Sequence, residues 1–445
     1  MQTSAKLHLN SYFSAYLKDL LILALPLFVG NLGHTLIGTT DVLVVSRYGI
    51  NALSAISIAN SIIFTIFILG IGITTAISIV LSHLRGGRKH IRSYLPSVLI
   101  FSLFLSLSFF FMCFISKHLI PFFGFEKYLV PYIQEYIEIV SFSMFGIFVF
   151  EGIKQFLQSY EIVKLPNIIL LVSVLVNLVF DIVFVFGFGF IPAMGSKGAA
   201  IATLSVRTLT GLALLLAVIK HIEYKNKFDF SFMKQVLKVG IPIGIGLMLE
   251  FLAFNIITVL VGTQAVIFSA VHNILITISS ATFMVPLAIS TALSVKVAYH
   301  YGAKSPVEIK KYSYVGLIFG VGFMCLAAVI LAIFPKEIIK LFTDNVRVVN
   351  IAIPIICTVA AYQIFDGFQC ITGGILKGFK KTKTVTACIL IGYWLIGAPI
   401  AYYFVYKCNM SLKGFWIALA TSLFLIGFIQ AIIAKNQYKL LLTNK

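Results

Sequence analysis

Twelve runs of mostly apolar residues, each about 20 or more long, alternate along this chain with short breaks rich in Gly, Pro, Lys and Asn. A helix needs about 20 such residues to cross the hydrocarbon core of a bilayer. The pattern therefore predicts twelve transmembrane helices, over 20–46, 52–82, 94–119, 131–158, 166–190, 198–219, 239–262, 268–298, 312–334, 348–376, 384–406 and 411–434. The first run is too long for a signal-peptide core and lacks a convincing cleavage site, so it is expected to remain as the first span. The breaks between runs leave no room for a folded soluble domain.

Composition agrees. Of 445 residues, 60% are hydrophobic and 11% charged, with a mean hydropathy of +1.03, against roughly 45–50% apolar and 25% charged in a soluble domain. A net charge of +19 on a soluble protein would suggest a nucleic-acid partner. Here the basic residues cluster in the breaks between apolar runs, a placement that sets membrane topology and does not recognise nucleic acid. With the N-terminus inside, the inner segments hold 22 Lys and Arg and the outer segments 9. Both termini are thus expected in the cytoplasm, in an inner (plasma) membrane protein. The six cysteines lie in or beside apolar runs without CxxC spacing or a nearby His, and read as packing residues.

The two halves echo each other at an offset of about 215 residues, the self-similarity of a transporter built from two bundles. Leu25-Pro26 answers Ile241-Pro242, and Thr75-Ala76-Ile77-Ser78 answers Thr291-Ala292-Leu293-Ser294. Arg85-Gly86-Gly87-Arg88 answers Tyr301-Gly302-Ala303-Lys304, Phe150-Glu151-Gly152 answers Phe365-Asp366-Gly367, and Lys197-Gly198 answers Lys413-Gly414. Six spans per half is an even number, so the repeats run parallel. The expected architecture is all-α: an N-terminal six-helix bundle (1–220), a cytoplasmic linker (221–238) and a C-terminal six-helix bundle (239–445), with a central cleft suited to alternating access.

Five carboxylates, Asp41, Glu151, Asp181, Glu250 and Asp366, fall inside these spans. Each costs about 2.5–3.5 kcal/mol on insertion scales, and the default reading of such groups is an ion or substrate pathway. Glu250 lies mid-helix, eight residues after Pro242, and its repeat counterpart is His34. Asp366 follows Tyr362 by four residues, which sets phenol and carboxylate on one helical face. Asn177 and Asp181 share the same spacing and, with Asp41 and Thr203, offer oxygen ligands for a hard cation or a titrating carboxyl. Asp41 also lies close enough to Arg47 to pair with it. Glu151 has Lys154 three residues on, which favours an intrahelical ion pair over a transport role. His34 reads either as a proton carrier or as a hydrogen-bond partner to a neighbouring helix. Arg207 and Lys296, near helix ends, read as snorkelling residues.

The stretch VNLVFDIVFVFGFGFIPAMGSKGAAIAT, from Val176 to Thr203, resembles the Asn-x-x-x-Asp and Gly-Ala-Ala-x-Ala-Thr signature of multidrug and toxic compound extrusion (MATE) transporters. The resemblance covers essentially the whole chain, twelve spans included. It implies a cation-coupling set at Glu250, Tyr362 and Asp366, as in the NorM-like branch. It implies a second, for sodium or protons, at Asp41, Asn177, Asp181, Thr203 and the carbonyl of Ala199. The segment after Asp41 departs from the family pattern, reading Val44-Val45-Ser46-Arg47-Tyr48-Gly49.

The expectation is a secondary antiporter, not an enzyme, exporting amphipathic cationic organic compounds in exchange for inward Na+ or H+. It would have no cofactor beyond the coupling ion, contact membrane lipid, and act as a monomer. The rival within transport is a lipid-linked precursor flippase, which would need a strongly cationic cavity for its diphosphate. An intramembrane enzyme lacks any Ser-His pair, zinc motif or paired-Asp signature here, and the two-lobed repeat argues against a fixed channel.

Overall fold

A computed structural model describes residues 2–219 and 228–443, with side chains from residue 13 onward. Lys220, Lys225, Lys227 and Lys445 of the charge count, and residues 221–227 of the expected linker, lie outside the described residues; 230–238 of that linker form the first turns of a helix. The protein is all-helical, with twelve helices long and apolar enough to cross a membrane among the described residues. In chain order these are α1 (Gln2–Ser46), α2 (Ile50–Gly86), α3 (Leu95–Ser116), α4 (Val130–Ser159), α5 (Lys164–Phe186) and α6 (Ser196–Ile219). They continue as α7 (Phe230–Gln264), α8 (Val266–Gly302), α9 (Pro306–Ile333), α10 (Val346–Gly378), α11 (Thr382–Lys407) and α12 (Ser411–Thr443).

Each expected span is found, most of them longer, because polar end turns outside an apolar run are helical too. Two are shorter: α3 runs Leu95–Ser116 rather than 94–119, its end continuing as a 3-10 turn over Lys117–Phe123, and α5 ends at Phe186 rather than 190. Gly187 takes φ +82° there, and the chain turns back through a bridge between Phe188 and Ile191. At the start of α10 the Asn345 side chain accepts from the amides of Arg347 and Val348, capping two N–H groups that have no partner within the helix. At its other end Lys380 sits in the left-handed region, φ 58°, and burial pushes its amine down to about 8.

The contacts gather the chain into two compact units. One comprises the residues up to Phe28, Gly86–Arg88 and everything from Ile245; the other comprises Val29–Arg85 and Lys89–Gly244. The divisions inside α1 and α7 fall two residues after Pro26 and Pro242, where each helix lacks a backbone donor.

In the Val29–Gly244 unit, α4 packs on α3 and α6. Its crossing with α6 leaves no room for a side chain: a Cβ on Gly146 would stand 2.5 Å from the Arg207 carbonyl oxygen, and one on Gly211 would stand 2.4 Å from that of Gly146. Close backbone approach at small residues is how membrane helices gain packing when burial from water cannot drive it. In the other unit α10 holds the equivalent place, against α8, α9 and α12. Ser290 of α8 donates to the Cys370 carbonyl across the contact where Gly374 admits it.

Lys296 does not snorkel. It is buried and bonds Asp19 of α1 at 2.7 Å, while Tyr312 of α9 donates to the same carboxylate. Tyr16 donates to Glu308 one turn earlier, and Lys311 bonds Glu308 at 3.0 Å. Of the cysteines, Cys113, Cys370 and Cys388 are buried as packing residues; Cys357 and Cys408 are exposed, and all six are free thiols.

Candidate functional site

The Val29–Gly244 unit brings four of the sequence candidates into one hydrogen-bonded group. Both Asn177 and Asp181 lie on the inward face of α5, one turn apart and fully buried. The Asn177 amide donates to Asp181 Oδ2 at 2.9 Å and to Asp41 Oδ1 of α1 at 3.1 Å, and Thr203 of α6 donates to Asp41 Oδ2 at 3.3 Å. Because both neighbours are carboxylates, the amide must present its NH2 to them, which leaves Asn177 Oδ1 as a spare acceptor. That oxygen and Asp181 Oδ1 are buried without a hydrogen-bond partner among the described residues. Two close carboxylates repel when both are ionised, so a proton or a small cation among these oxygens is stabilised. Such an oxygen-only donor set fits sodium.

Asp41 does not turn to Arg47, which is exposed. Ala199 is buried in the first turn of α6, one turn before Thr203; in a regular helix its carbonyl accepts the Thr203 amide and keeps one lone pair. Sequence reasoning missed Tyr136 of α4, whose hydroxyl donates to Asn60 at 3.1 Å and whose ring lies within electrostatic reach of Asp41 and Asp181. Arg207, read as a snorkelling residue, instead donates to Ser143 at 3.0 Å, lies over the Phe67 ring at 5.5 Å and acts electrostatically on Asp41.

Glu151 and His34 form a separate group in the same unit. The Glu151 carboxylate, 1% exposed, takes Lys154 at 2.6 Å and His34 Nε2 at 3.3 Å on the same oxygen. The intrahelical pair expected from spacing is present, and His34 is the interhelical partner of that pair.

The other unit assembles Glu250, Tyr362 and Asp366. Tyr362 and Asp366 are buried one turn apart on α10, and both feel the Glu250 carboxylate of α7. The hydrogen bond on Glu250 comes from a residue that sequence reasoning passed over: Tyr393 of α11 donates to Oε1 at 3.2 Å. Aromatic rings enclose the group. Phe254 meets Tyr362 at 6.4 Å and Tyr393 at 6.0 Å, and Trp416 of α12 meets Tyr362 edge-on at 5.1 Å. Among the described residues Glu250 and Asp366 take part in no ion pair, so a cation from outside can meet unspent negative charge.

Tyr393 stands where α11 leaves the α-helical path. Leu390–Gly397 and Tyr403–Lys407 are wound as π-helix, with wider turns.

Twelve apolar helices carrying buried acidic groups in both halves define a multi-pass membrane transporter. Residues 26–183 and again 242–403 match the model of the MatE family, and the chain belongs to that family. A probable multidrug resistance protein NorM of Rhizobium meliloti is 30% identical over 437 residues, 94% of this chain and 91% of that protein. A probable multidrug resistance protein NorM of Photorhabdus laumondii is 26% identical over 431 residues, 94% and 95% of the two chains. Among solved structures, the outward-facing conformation of a multidrug resistance MATE family transporter of the MOP superfamily superposes with a TM-score of 0.86 over 96% of each chain at 19% identity.

Proposed function

We propose that this chain is a secondary antiporter that exports amphipathic organic cations in exchange for inward Na+ or H+. Its coupling groups are Glu250, Tyr362 and Asp366 in one unit and Asp41, Asn177, Asp181, Thr203 and the Ala199 carbonyl in the other. The observation that carries the reading is the Glu250–Asp366 pair: two carboxylates inside membrane spans, walled by aromatic rings and in no ion pair among the described residues. Ionisable groups at that depth mark ion or substrate pathways, and aromatic faces favour organic cations. Release of the coupling ion on one side and its recapture on the other would let an organic cation and the ion compete for the same charge.

Each charge moved inward through 100 mV supplies about 2.3 kcal/mol, but one-for-one exchange of monovalent cations cancels that contribution, and the cycle then draws on concentration gradients alone. The excess of Lys and Arg on alternate segments supports a cytoplasmic-membrane topology with both termini inside. A lipid-linked diphosphate is the poorer substrate, because buried Lys154 and Lys296 are engaged by Glu151 and Asp19. The test is ethidium or norfloxacin efflux from vesicles under separately imposed sodium and pH gradients. Export driven by either gradient supports the antiporter; export indifferent to both refutes it.

A further inference from the structure

A cavity of about 420 Å3 opens wholly within one unit, between the second half of α7 and helices α11 and α12. Its wall is apolar and aromatic: Ala253 and Ile257 of α7, Tyr393, Trp394 and Ala398 of α11, and Phe415 of α12. The α11 side is the part that departs from α-helical winding, since Tyr393 and Trp394 belong to the first π-helical segment. Such segments are rare and concentrate at functional sites.

Two features give the cavity a polarity. Tyr393 lends its ring to the wall and its hydroxyl to Glu250 Oε1, so the carboxylate lies at the cavity's edge. Ala253 follows Glu250 by three residues and shares its face of α7. Trp394 has its indole N–H committed to the Leu249 carbonyl at 3.3 Å, which leaves the ring itself, and no donor, for a guest. The volume falls in the roughly 300–1,000 Å3 range of small-molecule sites, far more than a proton or sodium ion fills. An acyl chain would find apolar walls but no use for the carboxylate, whereas a flat cation is matched at both ends.

We propose that this cavity seats the planar aromatic body of an exported organic monocation, with its charge turned toward Glu250. The inference rests on Glu250 and Asp366 being the cation-binding pair, and adds that shape is read by different residues from those that read charge. A cation without an aromatic body then still reaches Glu250 but makes no use of the cavity.

Full-length protein in proteoliposomes tests this with two probes, ethidium and tetramethylammonium. Filling the cavity by Ala398→Phe is expected to lower ethidium efflux by roughly tenfold or more while tetramethylammonium exchange is retained; Glu250→Ala is expected to stop both. Parental ethidium efflux in Ala398→Phe, with both probes still stopped by Glu250→Ala, overturns the cavity assignment and leaves the antiporter reading intact. Normal export of both probes by Glu250→Ala sinks the antiporter reading and the cavity with it. A second measurement guards against a misfolded variant. The chain has two tryptophans, of which Trp394 lines the cavity, so ethidium should quench the tryptophan fluorescence of the otherwise unchanged protein at concentrations that saturate transport. Absence of quenching, or quenching by a brominated acyl chain and not by ethidium, overturns the proposal.

Discussion

The two acidic clusters differ in how their charge is answered. Around Asp41 and Asp181 the protein supplies amide and hydroxyl donors, one amide bridging both carboxylates and a threonine adding a third bond, and leaves only Asn177 Oδ1 and Asp181 Oδ1 for a small cation or proton. Around Glu250 and Asp366 it supplies tyrosines and rings and leaves the charge largely unspent. A third carboxylate, Glu151, marks the far end of the scale, matched by a lysine and a histidine at once. Buried polar groups with all their partners hold a structure in one arrangement, whereas those without invite a ligand. The contrast supports the proposed competition between organic cation and coupling ion at the aromatic cluster, with small-ion or proton binding proposed at the amide-bridged one.

The largest expected effect breaks the aromatic cluster. Asp366→Ala should abolish gradient-driven ethidium efflux, a loss of about 100-fold or more, corresponding to about 3 kcal/mol of binding, with expression and thermal stability near the parent's. Efflux above a tenth of the parental rate would remove Asp366 from the mechanism.

Lys154→Ala probes the opposite extreme. It strips a nearly inaccessible carboxylate of its cation and should cost about 3 kcal/mol of stability, measurable as a fall in melting temperature in detergent. His34 is then the remaining partner, and only its protonated ring can balance the charge. Adding His34→Ala to Lys154→Ala should therefore deepen the deficit; an unchanged deficit would mean that His34 does not share the load.

Asn177→Ala removes the bridge between Asp41 and Asp181 and should cost about 1–3 kcal/mol. Added sodium should recover part of it if a cation takes the amide's place between the oxygens. Thermal shifts with and without sodium, at constant ionic strength, decide the point.

The smallest change lies outside both clusters and should leave the contrast untouched. With the Lys380 amine held at about 8, against 10.5 for a free side chain, the unfolded chain binds the proton more tightly over that interval. Stability then rises as pH climbs from about 8 toward 10.5. Lys380→Gly removes this dependence along with the left-handed strain and should stabilise the fold by about 1 kcal/mol, seen as a flat melting temperature across that pH range.

The helices were legible because a bilayer demands long apolar runs, and the repeat was legible because its Pro, Gly and Lys landmarks survive at a fixed offset. Members of the acidic clusters that share one helix, Asn177 with Asp181 and Tyr362 with Asp366, were readable from a spacing of four. Partners from other helices were not. Tyr393 is 143 residues from Glu250 and sits in the run LIGYWLIG, where one tyrosine among 19 gives no sign that its hydroxyl is used. Arg207 and Lys296 looked like lipid-facing snorkellers because linear position cannot tell the inward face of a helix from the outward one. Nor does composition reveal π winding, which falls where α11 packs on α12.

That winding has a consequence for the chain's history. A π turn holds about one residue more than an α turn, so α11 carries surplus length that only its wide turns absorb. Loss of a single codon between Leu390 and Gly397 would remove that surplus and let the stretch rewind as α-helix, leaving later side chains such as Tyr402 and Tyr406 near their places. Tyr393 and Trp394, inside the rewound stretch, would shift, and their hydrogen bonds to Glu250 and to the Leu249 carbonyl would be the ones at stake. Substitutions in this stretch can be sampled one at a time, but an alignment gap there would announce a transporter with a different appetite.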